Sequence, residues 1–220
     1  MNILFQNLRV TDLKEDFITF PLYIISRPFK GFSDLKYENR GKLYFAITMM
    51  VLMCLFNICD ETYRGFVLTG YYMKNKIINT PYIIVMTIAP AILFIVSNWC
   101  VTAVTDGNGA MKQILMVYAY ASYPRLFLNI IGLILSNLVT AEEAAFSIFF
   151  YSFGMVAFLF YLFVGLIVIH EYSFTKALLM VVLTVGAMCI IVFVLALFMA
   201  LSNEVITFFS IVFKELTMRL

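Results

Sequence analysis

The chain has 220 residues, of which 63% are hydrophobic and only 13% are charged. Soluble domains have about 25% charged residues, so this composition excludes a soluble globular protein. It indicates an integral membrane protein, because helices in lipid satisfy their own backbone hydrogen bonds while lipid surrounds their apolar side chains. The net charge is only +2, but the cations are unevenly placed. Seven of the fifteen Lys and Arg residues precede the first long apolar segment: Arg9, Lys14, Arg27, Lys30, Lys36, Arg40 and Lys42.

Residues 1–42 are predicted to form a cytoplasmic N-terminal region that lies partly at the membrane interface. Their longest apolar run, 17–25, contains Thr19 and Pro21, and it is far shorter than the roughly 20 residues that a membrane span needs. Cations that alternate with aromatic residues suit an anionic headgroup region, although an ordinary cytoplasmic flank of the first span has the same composition. The candidate membrane-surface residues are Arg27, Lys30, Lys36, Arg40 and Lys42.

Long apolar segments separated by short polar connections predict about five transmembrane helices, and hence an all-α polytopic fold. The expected spans are 43–59, 82–104, 111–139, 144–169 and 174–201. Together they are expected to form a transmembrane domain over residues 43–204. Residues 205–220 are expected to form a short amphipathic tail, which either extends the fifth helix or lies at the interface.

The third span is too long for a simple crossing. A helix over 111–139 would measure about 43 Å, against a hydrocarbon core of about 30 Å, and it contains Pro124 followed by Arg125. Either Pro124 breaks or kinks the helix and leaves Arg125 at the interface, or the helix tilts and buries Arg125 against a partner. We favour a broken or kinked helix; in the other case, Glu171 is the expected partner of Arg125.

The distribution of Lys and Arg sets the expected orientation in the membrane. With five spans and the N-terminus inside, ten of these residues fall on the cytoplasmic side and five on the other side. The positive-inside rule therefore predicts a cytoplasmic N-terminus and an external C-terminus.

Two stripes of small and polar residues predict where the helices pack against one another. Apolar helices gain little from mutual burial in lipid, so such residues are the useful signal of interhelical contact. Both stripes follow a helical spacing. We expect Asn98 and Asn129 to form hydrogen bonds across helices and Gly132 to permit close approach. The stripes comprise Thr87, Ala91, Asn98, Thr102 and Thr105 in the second span, and Arg125, Asn129, Gly132 and Ser136 in the third.

No catalytic residue, cofactor or metal is expected. A metal site needs several His, Cys or acidic ligands around one ion, and His170 is the only histidine. His170 and Glu171 lie between spans four and five, where a solvated turn explains them as well as a titratable or headgroup-binding pair does. Glu142 and Glu143 are expected to begin span four, with Thr140 as its N-cap.

Several short strings stand in order around the five apolar segments. They are RPFKGFSDLKYENRGKLYF (27–45), TDGNG (105–109), YAYASYP (118–124), LSNLVTAEEAAF (135–146) and IHEYSFTKAL (169–178). Together they resemble the bacterial branch of the Yip family, which is named after Ypt-interacting proteins. The resemblance extends over residues 27–215 and implies five spans with a cytoplasmic N-terminus.

The resemblance also implies a range of roles. In eukaryotic relatives, it implies association with Rab-type GTPases in vesicle traffic and membrane shaping. Residues 1–42 lack the longer polar region and the acidic Asp-Leu-Tyr-Gly-Pro-type stretch of those relatives, so Rab binding is not expected here. Bacterial members resemble inner-membrane proteins that often accompany carbohydrate ABC-transporter components, which implies an inner-membrane location and an accessory role.

The leading hypothesis is a non-enzymatic membrane accessory or scaffold protein, associated with an ABC-type transporter or with membrane organisation. One alternative is a small-solute transporter or permease subunit that uses Arg125, Asn129 and Asn98 as a polar pathway. Others are a bilayer-shaping or membrane-trafficking protein, and an intramembrane enzyme built on Glu142 and His170 with their neighbours. The expected partners are the lipid bilayer and either transporter subunits, other membrane proteins or further copies of the chain. No nucleic acid is expected.

Overall fold

The computed structural model describes residues 14–69, 78–105 and 107–218. Over these residues the chain is built from a π-helical turn (Glu15–Thr19), α1 (Phe20–Ser26), α2 (Pro28–Tyr37), α3 (Leu43–Tyr63), α4 (Phe66–Thr69), α5 (Thr80–Val104), α6 (Met111–Ser136), α7 (Ala144–His170) and α8 (Phe174–Met218). Five of them, α3, α5, α6, α7 and α8, are long and apolar enough to cross a membrane. The protein is therefore an all-α polytopic membrane protein, as its composition predicts.

Two helices extend beyond the spans that hydropathy predicts. The first span was expected to stop before Asp60, but α3 continues to Tyr63 because the Asp60 carboxylate is paired with Arg64 just after the helix. The Arg64 N–H also donates to the Asp60 carbonyl. At the other end of the chain, the expected tail continues the fifth helix without interruption to Met218.

A broken or kinked helix was expected at Pro124. α6 is one continuous helix over Met111–Ser136, so the break is wrong, and a kink stays a prediction. A proline inside a helix removes one hydrogen bond, that to the carbonyl four residues earlier, and the packing around α6 offsets this loss. The first half of α6 is buried and not interfacial: Tyr120 and Tyr123 lie in the hydrophobic core. Dense side-chain packing on both sides of Pro124 thus keeps the helix intact.

Contacts between the ends of the helices define two ends of the bundle. At one end, Lys36 of α2 and Asn108, which precedes α6, both contact Glu171 after α7; we call this the proximal end. At the other end, the Gly65 N–H after α3 donates to Ser136 at the end of α6; we call this the distal end. The long helices therefore run alternately up and down through the bundle.

The N-terminal helices are part of the core. Phe20 of α1 meets the ring of Tyr120 edge-on at 5.4 Å, and Phe45 of α3 stacks on the other side of that ring at 4.2 Å. Ile24 of α1 and Phe32 of α2 are also fully enclosed. Apolar residues on one face of α1 and α2 thus fold this segment back against α3, α6 and α7.

Small residues let α6 and α7 pack closely along most of their length. Gly132 of α6 accepts a hydrogen bond at its carbonyl from the Ser147 hydroxyl of α7 (2.7 Å). Further along, a Cβ on Gly154 would come within 2.8 Å of Asn129 Oδ1, and a Cβ on Gly165 would collide with Val117. Close approach of the two backbones therefore depends on glycine at these positions, as is common between helices in lipid.

α8 lies at the edge of the bundle. Its buried residues are Ala177, Met180 and Thr184, which all lie within its first three turns. These residues pack against α5 and the end of α7. Beyond Thr184, the side chains of α8 are mostly exposed.

Candidate functional site at the proximal end

The polar stripe of α5 lies inside the bundle at its proximal half. Asn98 and Thr102 are almost completely enclosed, and Ala91, about two helical turns before Asn98, is also buried. Thr87 and Thr105, at the two ends of the stripe, are half-buried. Asn98 has hydrogen-bond partners on α8 and at the end of α7, whereas Thr87 accepts a hydrogen bond from Asn57 of α3 (2.9 Å). None of these partners lies on α6.

The polar stripe of α6 lies against α7 instead. Asn129, Gly132 and Ser136 are buried, and Arg125 is half-buried. Asn129 does not meet Asn98; its Oδ1 lies beside Gly154, as described above. The two stripes are therefore parts of separate contacts, one between α5 and α8 and the other between α6 and α7.

A buried chain of hydrogen bonds joins α5, α7 and α8 to the connection before α6. The Gly109 N–H lies 3.2 Å from Nδ1 of His170, and Nε2 of His170 lies 3.1 Å from Oδ1 of Asn98. Nδ2 of Asn98 donates to Oγ1 of Thr184 (3.1 Å), whose hydroxyl donates to the Met180 carbonyl (2.7 Å). His170, Asn98 and Thr184 are at most 2% exposed, so these groups bond to one another and not to water. We call these residues the polar network.

The donors in the polar network determine the tautomer of His170. The Gly109 N–H can only donate, so Nδ1 accepts and the ring proton lies on Nε2. Nε2–H then donates to Oδ1 of Asn98, which directs the Asn98 amide NH₂ towards Thr184. His170 is thus a neutral, fully hydrogen-bonded residue inside the bundle. The expected solvated turn is wrong for His170, because the connection before α6 covers the ring.

Glycines allow this connection to approach His170. A Cβ on Gly109 would collide with the imidazole ring, and a Cβ on Gly107 would lie 2.7 Å from Cβ of Thr102. The glycines of the TDGNG string (105–109) therefore let the backbone lie against the network. Asp106, which belongs to the same string, lies outside the described residues.

A second group of contacts covers the polar network at the proximal end. The Lys36 ammonium donates to the Ile169 carbonyl (2.7 Å) and to Oε1 of Glu171 (2.6 Å). The Tyr37 hydroxyl donates to the same carboxylate oxygen, and the Asn108 amide donates to the other at 3.3 Å. The hydrogen bond from Lys36, followed in importance by that from Tyr37, lowers the pKa of Glu171 to about 2. We call this group the proximal clasp.

Glu171 also ends α7. Its backbone has a φ of 57°, in the left-handed region that residues other than glycine rarely adopt. The N–H groups of Glu171 and Tyr172 both donate to the Ile167 carbonyl, which satisfies the last turn of the helix. The proximal clasp thus holds the chain at the sharp reversal between α7 and α8.

The expected pairing of Arg125 with Glu171 is wrong. The Arg125 guanidinium lies 5.6 Å from the centroid of the Phe158 ring, and Phe158 precedes the end of α7 by twelve residues, or about 18 Å. Glu171 is already bonded to Lys36. Among the described residues, no carboxylate forms a salt bridge with Arg125, and a cation–π contact takes that place.

The five candidate membrane-surface cations fall into two groups. Three are exposed: Arg27, Lys30 and Lys42. Arg40 is half-buried and forms a 3.3 Å salt bridge with Glu15. The Lys36 side chain is only 9% exposed and is directed towards the end of α7, because two acceptors there bind its ammonium group.

The distal end has its own polar cluster. The buried Asp60 carboxylate pairs with Arg64 and accepts a hydrogen bond from the Tyr151 hydroxyl of α7. The hydrogen bond with Asp60 raises the pKa of Arg64. Nearby, Oγ of Ser136 accepts the Gly65 N–H at 2.9 Å. These contacts join α3, α6 and α7 at the end opposite the polar network.

The residues considered for an intramembrane enzyme are divided between the two ends. Glu143 directly precedes α7 and His170 ends it, so 27 helical residues, or about 40 Å, separate them. Thr140 is not the N-cap of α7; Glu143 occupies that position. Within the described segments, no group of three or more His, Cys, Asp or Glu residues is placed to hold a metal ion.

Most of the chain matches a known domain. A family model described as the Yip1 domain matches residues 22–196. The chain belongs to the Yip1 family. The match confirms the family that the five strings indicate, and it includes the polar network and the proximal clasp. No curated protein matches the chain, and no solved structure matches it.

Two members of the polar network of this Yip1 domain lie outside the predicted stripes, and both carry a signal in the sequence. Thr184 is the only hydroxyl residue in the apolar run 177–201, and His170 is the only histidine. Polar groups in a span are costly unless they have a partner, so isolated polar residues in apolar runs indicate interhelical hydrogen bonds. The Yip1 domain uses both residues in this way.

Proposed function

We propose that this Yip1 protein is a non-enzymatic accessory or scaffold protein that binds a membrane protein laterally through α8. The supporting observation is the exposure of this helix. α8 is the most apolar of the five long helices, yet only 11% of its most apolar stretch is buried. Its large side chains, including Phe193 and Phe198, point away from the bundle. An apolar helix held at one end and free along the rest offers a surface for another transmembrane helix.

The burial of the polar stripes favours this role over solute transport. A pathway through the bundle would need Asn98, Arg125 and Asn129 to face water. Asn98 and Asn129 are 1% and 6% exposed, and Asn98 is hydrogen-bonded at both atoms of its amide. Arg125 lies over the Phe158 ring. Asn98 and Arg125 thus have partners inside the bundle, and Asn129 is enclosed although its Oδ1 has no hydrogen-bond partner among the described residues. This burial supports a scaffold over a water-filled pathway.

The proposed partner is a subunit of an ABC-type transporter or a protein of membrane organisation, in the bacterial inner membrane. We place the proximal end of the bundle in the cytoplasm. The exposed cations Arg27, Lys30 and Lys42 support this orientation through the positive-inside rule.

Site-specific photo-crosslinking in native membranes tests the proposal. A photoreactive amino acid replaces Phe193 or Phe198 of α8, and the matched control replaces Phe149 of α7, which is similarly exposed. We expect one discrete protein adduct from each α8 position, with the same partner identified by mass spectrometry. We expect only lipid adducts from Phe149.

Three results would overturn the proposal. Lipid adducts alone from both α8 positions would show that no protein partner lies beside this helix. The same protein adducts from Phe149 would indicate random collision. An adduct with a second copy of the chain alone would replace the accessory role by self-association. The identified partner should also co-purify in stoichiometric amount with the tagged wild-type chain in mild detergent.

A further inference from the structure

An apolar groove lies on the outside of the bundle between α1, α6 and α7. Its volume is ≈ 530 Å³. Tyr123 and Pro124 of α6 form its buried floor, whereas Leu22 of α1 and Phe153 and Phe160 of α7 form an exposed rim. A buried floor with an exposed apolar rim means that the groove opens sideways, towards the lipid.

Two cations closely follow, along the chain, the end of α1 that lines this groove. Ile25 lines the groove, and its carbonyl accepts a hydrogen bond from the Tyr161 hydroxyl (2.9 Å), which fixes the end of α1 to α7. Arg27 follows two residues later and Lys30 lies in the first turn of α2; both are exposed. Within the described part of the chain, neither forms a salt bridge, so both charges are available to a ligand.

The depth of the groove suits an acyl chain below a headgroup. Tyr161 precedes His170 by nine residues, or about 14 Å along α7. α7 is about 40 Å long, about 10 Å more than the hydrocarbon core, so its last turns lie among the headgroups. The groove then lies at acyl-chain depth, and side chains as long as those of Arg27 and Lys30 can reach from that depth to the interface.

A second groove of similar size offers an internal comparison. α3 and α5 enclose ≈ 520 Å³, lined by apolar side chains that include Leu55 and Ile88. Leu115 of α6 also lines it, and the exposed cations Lys42 and Lys112 lie five and three residues from its lining residues Ile47 and Leu115. The two grooves are therefore alike in shape and apolarity, and they differ in which cations lie near them in the chain.

We propose that the groove between α1, α6 and α7 binds an acyl chain of an anionic phospholipid, with the headgroup held by Arg27 and Lys30. The apolar floor accommodates the chain, and two unpaired cations favour a negative headgroup over a zwitterionic one. The site lies on helices other than α8, so it stands independently of the proposed lateral partner.

Tryptophan quenching by brominated lipids tests this site in the full chain reconstituted in vesicles. Trp99→Phe removes the single tryptophan, after which Phe153→Trp reports on the proposed site and Leu55→Trp on the second groove. The vesicles are phosphatidylcholine with a fixed minor fraction of either brominated phosphatidylglycerol or brominated phosphatidylcholine. We expect Phe153→Trp to show a preference for the brominated anionic lipid, to which each cation contributes about fivefold. The quenching of Leu55→Trp should not respond to loss of Arg27 or Lys30, because neither cation is near the residues that line the second groove.

Charge variants identify the residues responsible. Arg27→Gln and Lys30→Gln should each lower the preference at Phe153→Trp about fivefold. Lys42→Gln removes the same charge from an exposed position outside the groove and should leave the preference unchanged. Equal quenching of Phe153→Trp by both lipids would overturn the proposal. So would an equal loss at Leu55→Trp with Arg27→Gln or Lys30→Gln, or an equal loss at Phe153→Trp with Lys42→Gln, because either would reflect only the overall positive charge.

Discussion

α6 and α8 cross the same membrane in opposite surroundings. α6 is the least apolar of the five long helices, and 61% of its most apolar stretch is buried; α8 is the most apolar, and 11% is buried. In a soluble protein, the more apolar helix would be the more buried one. Lipid solvates apolar side chains, so the interior is left to helices whose small and polar residues pack and form hydrogen bonds. Hydropathy thus locates these spans, but it does not indicate which of them is central.

The largest difference between α6 and α8 is expected on removal of an aromatic ring. Tyr120 of α6 is enclosed between Phe20 and Phe45, so Tyr120→Ala should lower the free energy of unfolding by about 3–5 kcal/mol. Phe193 of α8 is 63% exposed, and Phe193→Ala should change the free energy of unfolding by less than about 0.5 kcal/mol. Reversible unfolding in mixed micelles measures both values. Equal losses would contradict the assignment of α6 as the central helix.

A pair of glycines tests the same contrast by adding volume. A Cβ on Gly132 of α6 would lie 3.1 Å from ring carbons of Tyr151, whereas a Cβ on Gly186 of α8 would have nothing within 4 Å. Gly132→Val should therefore destabilise the protein by about 1–3 kcal/mol, and Gly186→Val should be close to neutral. Thermal stability of the purified variants, followed by size-exclusion chromatography, compares them. Tolerance of valine at both positions would show that α6 and α7 are packed more loosely than described.

Two threonines of α8 allow a comparison between the part of the helix that is attached to the bundle and the part that is not. Thr184 and Thr207 each donate to the carbonyl four residues earlier, but only Thr184 also accepts a hydrogen bond from Asn98. Thr184→Val should cost about 1 kcal/mol, and Thr207→Val should cost almost nothing. A double-mutant cycle with Asn98→Ala measures the coupling. Additive effects would mean that the polar network does not attach α8.

The smallest effect is expected at the reversal between α7 and α8. Hydrogen bonds from Lys36 and Tyr37 lower the pKa of Glu171 from 4.5 to about 2. The ionised carboxylate therefore stabilises the fold above about pH 4.5, and this contribution is lost as the pH falls from 4.5 towards 2. The melting temperature of Glu171→Gln should lie below that of the wild type at pH 7, and the gap should shrink below pH 4.5. A gap that stays constant with pH would argue against the proximal clasp.

The five spans could be predicted because hydrocarbon thickness sets the length of an apolar helix. Helix ends were less predictable, since they depend on local partners. Asp60 marks a stop by composition, but a salt bridge to Arg64 allows α3 to continue past it. Pro124 suggests a break, but burial of the residues around it keeps α6 continuous. In both places, tertiary contacts outweigh the local preference of the chain.

The polar network was only partly predictable. Helical spacing indicated the stripe that contains Asn98, but its partners His170 and Thr184 lie more than 70 residues away along the chain, and their meeting depends on how each helix is rotated. Charge complementarity alone suggested Arg125 as the partner of Glu171. The actual partner, Lys36, is brought there because α1 and α2 fold back into the core. The helical spacing of Phe20 and Ile24 fits that fold-back, but it fits an amphipathic helix that lies on the membrane surface equally well.

The length of α8 has a consequence outside the membrane. Its 45 residues measure about 67 Å, whereas a bilayer with its headgroups is about 40–45 Å thick. Even at a tilt of about 40°, the upper end of the usual range, the helix would extend over about 52 Å. At the average tilt of about 20°, its last turns, with exposed Phe208, Phe209 and Phe213, emerge into water on the distal side, where bare aromatic surface is unfavourable. A partner of α8 of the kind proposed above that covers these rings would have to project beyond the headgroups.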